Sequence, residues 1–371
     1  MEMYDVLVCG GGIAGSVTAK FSAMSGLKTL LIEKWKTPRN KACSGIQFMY
    51  LEKLIGESIP REKLCQNELS TIEMVMPSGR TVKAQMHILN FWRSTFDHWL
   101  NERASDAGAD VYDGCILKDF QENGDTITVR LTGEKKSTVK TRYLIAADGY
   151  RSTIRKKMRP QDFGKPTGGT LNYYIVGESG IDPHTLYMYY KREFSPLMFS
   201  WVYMKDDKYV IGTGADTDLL GYAQRFYGYI KEKYDLRGRI VKKEGFSSPL
   251  KEGVYLGDRN ILVTGDAAGL VDLYRGMGMD NAALSGRFAA KAVLQAEEKG
   301  CFASDVYSKV MKKLVKKLEK NVQRQKTRYL TDEALEKSLS SVNMAKDGLL
   351  MLMAAQVNRI LPPERIITLP L

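Results

Sequence analysis

Positions 6–9 form an unbroken apolar run, Val-Leu-Val-Cys, which reads as a strand buried on both faces. The pattern then switches to helical spacing, with the small residues Ala14, Ala19 and Ala23 facing back, until Gly26 closes the helix. Residues 28–32 read as a second strand, so the chain opens on a parallel strand–helix–strand unit. Alternation marks hairpins at 70–76 with 80–86, about Pro77-Ser78-Gly79, and at 115–121 with 126–132, about Asn123-Gly124. Helical spacing recurs at 51–55 and at 91–108, where Phe96, Trp99, Leu100 and Ala104 share a face. Strands are expected at 109–112 and 138–146, the latter running into a helix that begins near Ser152. From 168 to 215 the pattern is β, with strands at 170–176, 186–190, 198–204 and 209–214, followed by a helix at 219–234. A short strand at 260–263 precedes a helix of small residues through Ala282, Ala283, Gly286, Ala289, Ala290 and Ala292. Helices are expected at 305–330 and, rich in Met and Leu, at 341–360.

Composition adds limits to this α/β pattern. A chain of 371 residues, 44% hydrophobic, suits two or three structural units. No run of about 18 uncharged apolar residues occurs, so no spanning helix is expected. The chain enters a strand at once, without a signal-peptide pattern. Its five cysteines (Cys9, Cys43, Cys65, Cys115, Cys301) are scattered and odd in number, which fits a reducing cytoplasm and no metal. Three histidines (His87, His98, His184) leave little for a metal centre or a Ser-His-Asp triad. The net charge of +12 invites nucleic acid, an anionic membrane or an acidic protein, and no nucleic-acid motif accompanies it. Much of the charge lies at 305–330, in Lys309, Lys312, Lys313, Lys316, Lys317, Lys320, Arg324, Lys326 and Arg328, around an apolar stripe of Val310, Leu314, Leu318 and Val322. That helix either shows a solvated face or docks on a membrane surface or an acidic partner.

Three stretches carry candidate chemistry. In the first, Gly10, Gly12 and Gly15 stand in G-x-G-x-x-G spacing between strand and helix, and the second strand ends on Glu33. Gly10 permits the tight turn, Gly12 a close approach of backbone to a pyrophosphate, and Gly15 close helix–strand packing. The helix N-terminus offers free N–H groups to phosphate, and Glu33 suits ribose hydroxyls. The loop that follows, 34–45, holds Arg39 and Lys41, which either meet an anionic ligand or are incidental surface charge, and the small Cys43-Ser44-Gly45 run. The second stretch is Asp148-Gly149 at the end of a buried strand; the acid either approaches a cofactor or caps the next helix. The third is Gly265-Asp266-Ala267-Ala268-Gly269, again strand, acid, glycine and helix, with Arg275-Gly276-Met277-Gly278-Met279 after it. The aromatics of 173–209 either wall an apolar cavity or are ordinary sheet packing.

These stretches in this order, with Arg93 and Asp97 one helical turn apart between the first two, resemble the FAD-dependent group that includes para-hydroxybenzoate hydroxylase-like monooxygenases and geranylgeranyl reductases. The resemblance runs from residue 4 to about 293. Two segments resemble the geranylgeranyl reductase branch. Arg39-Asn-Lys-Ala-Cys-Ser-Gly45 is similar to its lysine–cysteine–glycine loop, with Ser44 where glycine is common. Phe199-Ser-Trp201-Val-Tyr203-Met204 is similar to its Y-x-W-x-F-P segment, with Phe for Tyr, Tyr for Phe and Met for Pro, and Gly212-Thr-Gly214 follows.

The resemblance implies a Rossmann-like FAD-binding domain of glutathione-reductase type (1–70, 91–165 and 245–295), an inserted antiparallel β-sheet substrate domain (71–90 and 166–244) and a helical C-terminal region (296–371). It implies that FAD is held by Gly10, Gly12, Ala14, Gly15, Glu33, Lys34, Lys41, Ala42, Cys43, Arg93, Leu117, Asp148, Gly149, Gly265, Asp266, Gly269, Gly276, Gly278 and Met279. Cys43 and Gly45 would stand at the reaction centre, and Phe199, Trp201, Tyr203 and Tyr189 would line a prenyl channel. The implied activity is saturation of isoprenoid C=C bonds, in a lipid precursor or a prenyl diphosphate, by hydride from reduced flavin. A ferredoxin or NAD(P)H would supply the electrons, and the protein would be cytoplasmic, either free or peripheral at the inner face of the membrane through the basic helix. A flavin monooxygenase acting on an aromatic or quinone-type substrate shares the same FAD motifs and is the rival reading; a non-catalytic flavin-binding protein is a third.

Overall fold

The computed structural model describes residues 2–340 other than 66, 167 and 252, together with 343, 357, 358 and 360–365; nearly all of the expected 341–360 helix lies outside the described residues. Two sheets, each eight-stranded among the described residues, carry the fold. In the first, strands β1 (Met3–Cys9), β2 (Thr29–Ile32), β6 (Asp110–Tyr112), β9 (Ser137–Ala146) and β16 (Ile261–Val263) run parallel in the order β16-β9-β1-β2-β6. The hairpin β7 (Cys115–Asn123) and β8 (Thr126–Gly133) joins through β9, and β15 (Gly257–Asp258) pairs with β16 at the other edge. The central residues of β1, β2 and β16 and the C-terminal half of β9 are buried, which is why these stretches read as apolar runs. Helices α1 (Ile13–Met24), α4 (Arg93–Asp106), α8 (Met279–Lys299) and α9 (Ala303–Arg328) share the core of this sheet.

The second sheet runs β14-β10-β13-β12-β11-β4-β5-β3. Its strands are β3 (Ile46–Phe48), β4 (Leu69–Val75), β5 (Thr81–Asn90), β10 (Gly169–Glu178), β11 (Thr185–Tyr189), β12 (Ser200–Lys205), β13 (Lys208–Ala215) and β14 (Arg237–Ser247). Two were not legible in the hydrophobic pattern. β14 pairs only with β10 and carries Arg237, Arg239, Lys242, Lys243 and Glu244, so it lacks an apolar alternation; such charge suits an exposed edge. β3 is three residues long and pairs with the end of β5, so the chain enters the second sheet directly after the 34–45 loop. Short helices complete the connections: α2 (Tyr50–Ile55), α3 (Arg61–Leu64), α5 (Thr153–Met158), α7 (Gly265–Ala268) and α10 (Asp332–Ser338).

Side chains alternate between the faces of this sheet. One face, with Tyr173, Ile175, Tyr187, Tyr189, Val202 and Ile211, packs under α6 (Leu219–Lys233) through Phe226 and Ile230. The other carries Tyr174, Met188, Trp201, Tyr203 and Val210 and meets Tyr329, Leu335 and Leu339 of the C-terminal region. Two glycines separate packing from propensity. A Cβ on Gly286 of α8 would overlap the Ala14 carbonyl of α1, whereas one on Gly228 of α6 would meet nothing within 4 Å. Gly286→Ala is expected to destabilise by about 1–3 kcal/mol through overpacking. Gly228→Ala is expected to stabilise by about 0.5–1 kcal/mol through lost chain entropy. Urea midpoints of the two variants, at unchanged slope, check both signs.

Candidate active site

β1, β9 and β16 are neighbours in the first sheet, so the three glycine-bearing stretches emerge side by side at its C-terminal edge. Their approach leaves no room for side chains. Gly10 (φ +114°) would drive a Cβ into the Ala147 carbonyl, and Gly15 would drive one into the Gly10 carbonyl. A Cβ on Gly265 (φ +56°) would stand 3.0 Å from the Ala14 Cβ, so Ala14 packs the first turn of α1 against the third stretch. α1 starts at Gly12 with no side-chain cap and no acid in its first turn, which leaves its N–H groups and partial positive charge open.

A cavity of about 390 Å³ opens over this edge. Gly10, Gly12, Glu33, Lys34, Lys41, Ala42, Leu117, Asp148 and Gly149 line it, with Trp35, Arg39, Tyr150 and Phe246. Glu33 is fixed from below: Oε2 accepts from the Gly11 N–H at 2.9 Å, Oε1 from the Trp35 N–H at 3.1 Å. Arg39 bridges Glu33 (3.2 Å) and Asp97 (3.0 Å). Arg93 makes a two-toothed contact with Asp97, at 2.7 and 2.9 Å, and both are buried. Burial opposes the Arg93 charge, but Asp97 and Cys43 outweigh it and push its pKa up. Both guanidiniums reach Gly12: a Cβ built there would stand 3.5 Å from Arg39 and 4.0 Å from Arg93.

Asp148 caps the next helix through one of its oxygens. Oδ2 accepts from the Thr153 N–H at 2.7 Å at the start of α5, where the Ser152 hydroxyl also caps Arg155 N–H. Oδ1 is buried without a hydrogen-bond partner. Burial pushes the carboxyl above its usual range, although Ser152 and the Thr153 N–H oppose it.

The 34–45 loop carries the site toward the second sheet. Lys41 pairs with Asp266 at 2.8 Å. Burial raises the Asp266 carboxyl, but Lys41 and Arg93 overcome it and hold it below the usual range. The Cys43 thiol lies 3.6 Å from the Met279 sulfur, and Gly278 stands beside Asp266. Gly45 (φ +68°) abuts the Phe91 carbonyl, where no side chain fits; Ser44 has no such constraint, and its hydroxyl accepts from the Ile46 N–H at 3.3 Å. Gly276 (φ +63°) packs on Phe199, 3.2 Å from its ring for a Cβ there. Trp201 donates to the Asn172 side chain at 2.8 Å and lies over Gly212, and the Tyr203 hydroxyl donates to the Ser44 carbonyl at 3.3 Å.

Two expected positions stand apart. Tyr189 lies on the opposite face, under α6, bonded to the Tyr234 hydroxyl at 2.9 Å; in register it pairs with Ser200, so strand alternation turns it away from Trp201 and Tyr203. This corrects its place in the expected channel. Gly269 ends α7 in a left-handed turn against Gly253. Residues that the motifs did not name complete the site. Trp92 stacks on Tyr174 at 5.7 Å, Tyr174 donates to Glu244 at 2.9 Å, and Lys205 reaches the same loop as Tyr203. Period-two spacing already put Asn172 beside Tyr174, and Lys205 beside Trp201 and Tyr203.

Residues 3–177 match the family described as an FAD binding domain. The chain is 29% identical over 313 residues to geranylgeranyl diphosphate reductase of Rhodobacter capsulatus, covering 80% of this chain and 76% of that protein. It is 28% identical over 326 residues to digeranylgeranylglycerophospholipid reductase of Sulfolobus acidocaldarius, covering 81% and 71%. The crystal structure of a geranylgeranyl bacteriochlorophyll reductase-like protein from Thermoplasma acidophilum superposes with a TM-score of 0.82, at 24% identity and 92% coverage of each chain. The chain belongs to the geranylgeranyl reductase family of FAD-dependent oxidoreductases. Its cofactor is FAD. The cavity of this family member fits that group on its own terms: an uncapped helix N-terminus, a glycine cradle and the orphaned Asp148 oxygen all ask for a polar ligand.

The Asp148 shift has a sign. Its folded pKa is raised, so ionisation costs the apoprotein stability above that pKa, and the cost vanishes as pH falls below the unfolded value. Apo Asp148→Asn is therefore expected to melt higher than the wild type at pH 7, with the gap closing through the acidic carboxylate range. Parallel melts between about pH 3 and 7 check this.

Proposed function

We propose that this protein uses FAD to saturate C=C bonds in the isoprenoid chain of a lipid precursor or a prenyl diphosphate. The observation that carries the reading is the meeting of the 34–45 loop and the 276–279 turn with the aromatic face of the second sheet, through Gly276 on Phe199 and Tyr203 on Ser44. Two relatives bear names in this substrate class, geranylgeranyl diphosphate reductase and digeranylgeranylglycerophospholipid reductase. Reduced FAD supplies the hydride when bound. The roles we assign to the protein are binding and orientation. Glu33 takes the adenosine ribose, and the α1 N-terminus with Arg39 and Arg93 takes the pyrophosphate. Asp148 offers its unpaired oxygen to the sugar–phosphate part, and Lys41 with Asp266 borders the ribitol and ring. Phe199, Trp201, Met188 and Tyr190 exclude water and hold a chain that has no charge of its own, by buried area worth ~25 cal/mol per Å². Cys43 stands where the loop faces Met279, at the border of the two regions.

The test is anaerobic. Dithionite-reduced holoenzyme mixed with geranylgeranyl diphosphate, or with a geranylgeranylated glycerophosphate, is expected to reoxidise its flavin and yield a product two mass units heavier per bond reduced. Trp201→Ala is expected to slow this by about tenfold or more, since a large buried aromatic is worth roughly 2 kcal/mol or above. Flavin that stays reduced until oxygen enters, with oxygen incorporated into product, transfers the protein to the monooxygenase reading.

For the electron donor we propose an acidic protein of ferredoxin type docking on α9. Lys312, Lys316, Lys320 and Arg324 stand four residues apart on its exposed side, and none has an ion pair among the described residues. Like charges at this spacing cost a few tenths of a kcal/mol per pair in an isolated helix. Reduction of the flavin by an acidic ferredoxin is expected to slow several-fold as salt rises from about 0.05 to 0.3 M, and Lys316→Glu with Lys320→Glu to slow it at low salt while dithionite reduces both proteins alike. Salt-insensitive reduction overturns the docking surface, turnover-rate reduction by NAD(P)H gives the role to the nicotinamide, and salt-sensitive co-sedimentation with anionic vesicles gives the helix face to the inner membrane surface.

A further inference from the structure

Trp201, Tyr203 and Lys205 alternate along β12 and share its inner face. The motif accounts for the first two. Lys205 closes the strand and is 1% exposed. Its ammonium donates to the main-chain carbonyl of Ser44 and, at 3.1 Å, to that of Phe91. These carbonyls belong to two different segments of the flavin side, the 34–45 loop and the lead into α4. The segments are already tied to each other, since the Phe91 N–H donates to the Gly45 carbonyl at 3.0 Å. Gly45 leaves the ammonium its place: a Cβ there would stand 2.9 Å from the Lys205 nitrogen. Tyr203, two residues back, donates to the same Ser44 carbonyl. The Trp92 ring lies 4.8 Å from the ammonium. No carboxylate pairs with Lys205 among the described residues.

A charge buried against carbonyls alone is an expensive way to pack the end of a strand. An apolar side chain of similar length fills that space without desolvating an ion. Burial accordingly pushes the Lys205 pKa down to about 8, although Cys43, Asp206, Glu244 and Cys65 pull the other way. The sign follows: the folded pKa lies below the unfolded one, so the protonated lysine costs folding stability below about pH 8. What the ammonium supplies in return is directional. It fixes one backbone oxygen of the loop that carries Cys43, and one of the segment leading into α4, to the strand that carries Trp201.

We propose that Lys205 is a positioning residue that clamps the Cys43-Ser44-Gly45 loop onto the aromatic sheet and so sets how Cys43 and the flavin face the alkene. Its consequence for turnover rests on the reductase reading above; the clamp itself does not, and it is read without any alkene. The experiment is Lys205→Met in the FAD-loaded protein. Cysteine alkylation is followed residue by residue by mass mapping, with exposed Cys301 as the internal reference and buried Cys9 and Cys115 as the folded-state control. The expected result is a melting temperature equal to or above wild type, unchanged reaction at Cys9, Cys115 and Cys301, and at least tenfold faster alkylation at Cys43. Flavin reoxidation by the alkene is expected to lose at least tenfold in kcat with KM moved less than threefold. Should Lys205→Met not fold, Lys205→Gln, shorter and uncharged, replaces it with the same expectation for Cys43. Unchanged Cys43 reactivity in a folded variant overturns the clamp, and so does a rise shared by Cys9 and Cys115, which marks general loosening. Faster Cys43 alkylation in a protein that never turns over an alkene keeps the clamp and sinks the reductase reading alone.

Discussion

The structure depends on a place where only hydrogen fits. α1 lies so close to β1 that the Gly10 carbonyl occupies the space a Cβ on Gly15 would need, and the chain turns so sharply after β1 that Gly10 lies against the Ala147 carbonyl just past β9. On the far side, Gly286 lets α8 close on the Ala14 carbonyl. The four main-chain segments are locked before any side chain is considered. Because α1 cannot retreat, its uncapped N-terminus must point over the sheet edge, and the cavity follows from that. Larger residues at these positions would fill the contact and swing the helix dipole off the cavity.

Charge placement obeys the same geometry. Arg39, Arg93, Glu33 and Asp97 form a closed set around Gly12, two positive and two negative, so the pocket is not paying for an excess of either sign before a ligand arrives. An incoming diphosphate would meet two guanidiniums already oriented by Asp97, and the N–H groups of α1 behind them. Asp148 and Lys205 are the contrary cases. Each is an ionisable group whose pKa is displaced in the direction that disfavours its charge, and each sits at a border between a loop and a ligand-facing surface. A displaced pKa points to a candidate functional group where the geometry beside it agrees, as it does for the unpaired Asp148 oxygen and the two carbonyls held by Lys205.

Much of this was legible in the sequence because the first sheet is governed by local rules. Apolar runs at 6–9 and 143–146 mark doubly buried strands, and G-x-G-x-x-G ending on Glu33 gives strand, turn, helix and acid in a few tens of residues. The second sheet was legible in its interior and not at its edges. β14 carries charges at Arg237, Arg239, Lys242 and Lys243 because it shows its outer side to solvent, so no alternation betrays it. β3 is too short to carry any period. Tyr189 shows a third limit. Its neighbours were read as one aromatic set, but a set along a strand is two sets, and its side depends on the pairing of β11 with β12. The Asp148 carboxylate shows the opposite: one oxygen alone makes the helix cap and the other is left buried and unpaired, so the two readings need not exclude each other.

Register in the second sheet therefore decides what the site can hold. A one-residue slip of β12 would turn Ser200, Val202 and Met204 inward and send Trp201, Tyr203 and Lys205 under α6. Two contacts forbid it. Inward, the Trp201 indole lies over Gly212, where any Cβ would overlap it, and donates to Asn172 across the sheet. Outward, the Ser200 and Thr213 hydroxyls bond at 2.8 Å, and Thr213 also donates to the Phe194 carbonyl. Gly212-Thr213-Gly214 is thus the complement of the Trp201 segment, a small–polar–small row against which a large–small–large row can seat in one way only. Replacing Phe by Tyr at 203, or Pro by Met at 204, leaves that lock untouched, since neither position takes part in it. The departures from the family segment change the chemistry of the wall and not its placement, and Tyr203 uses its added hydroxyl on the same Ser44 carbonyl that Lys205 holds.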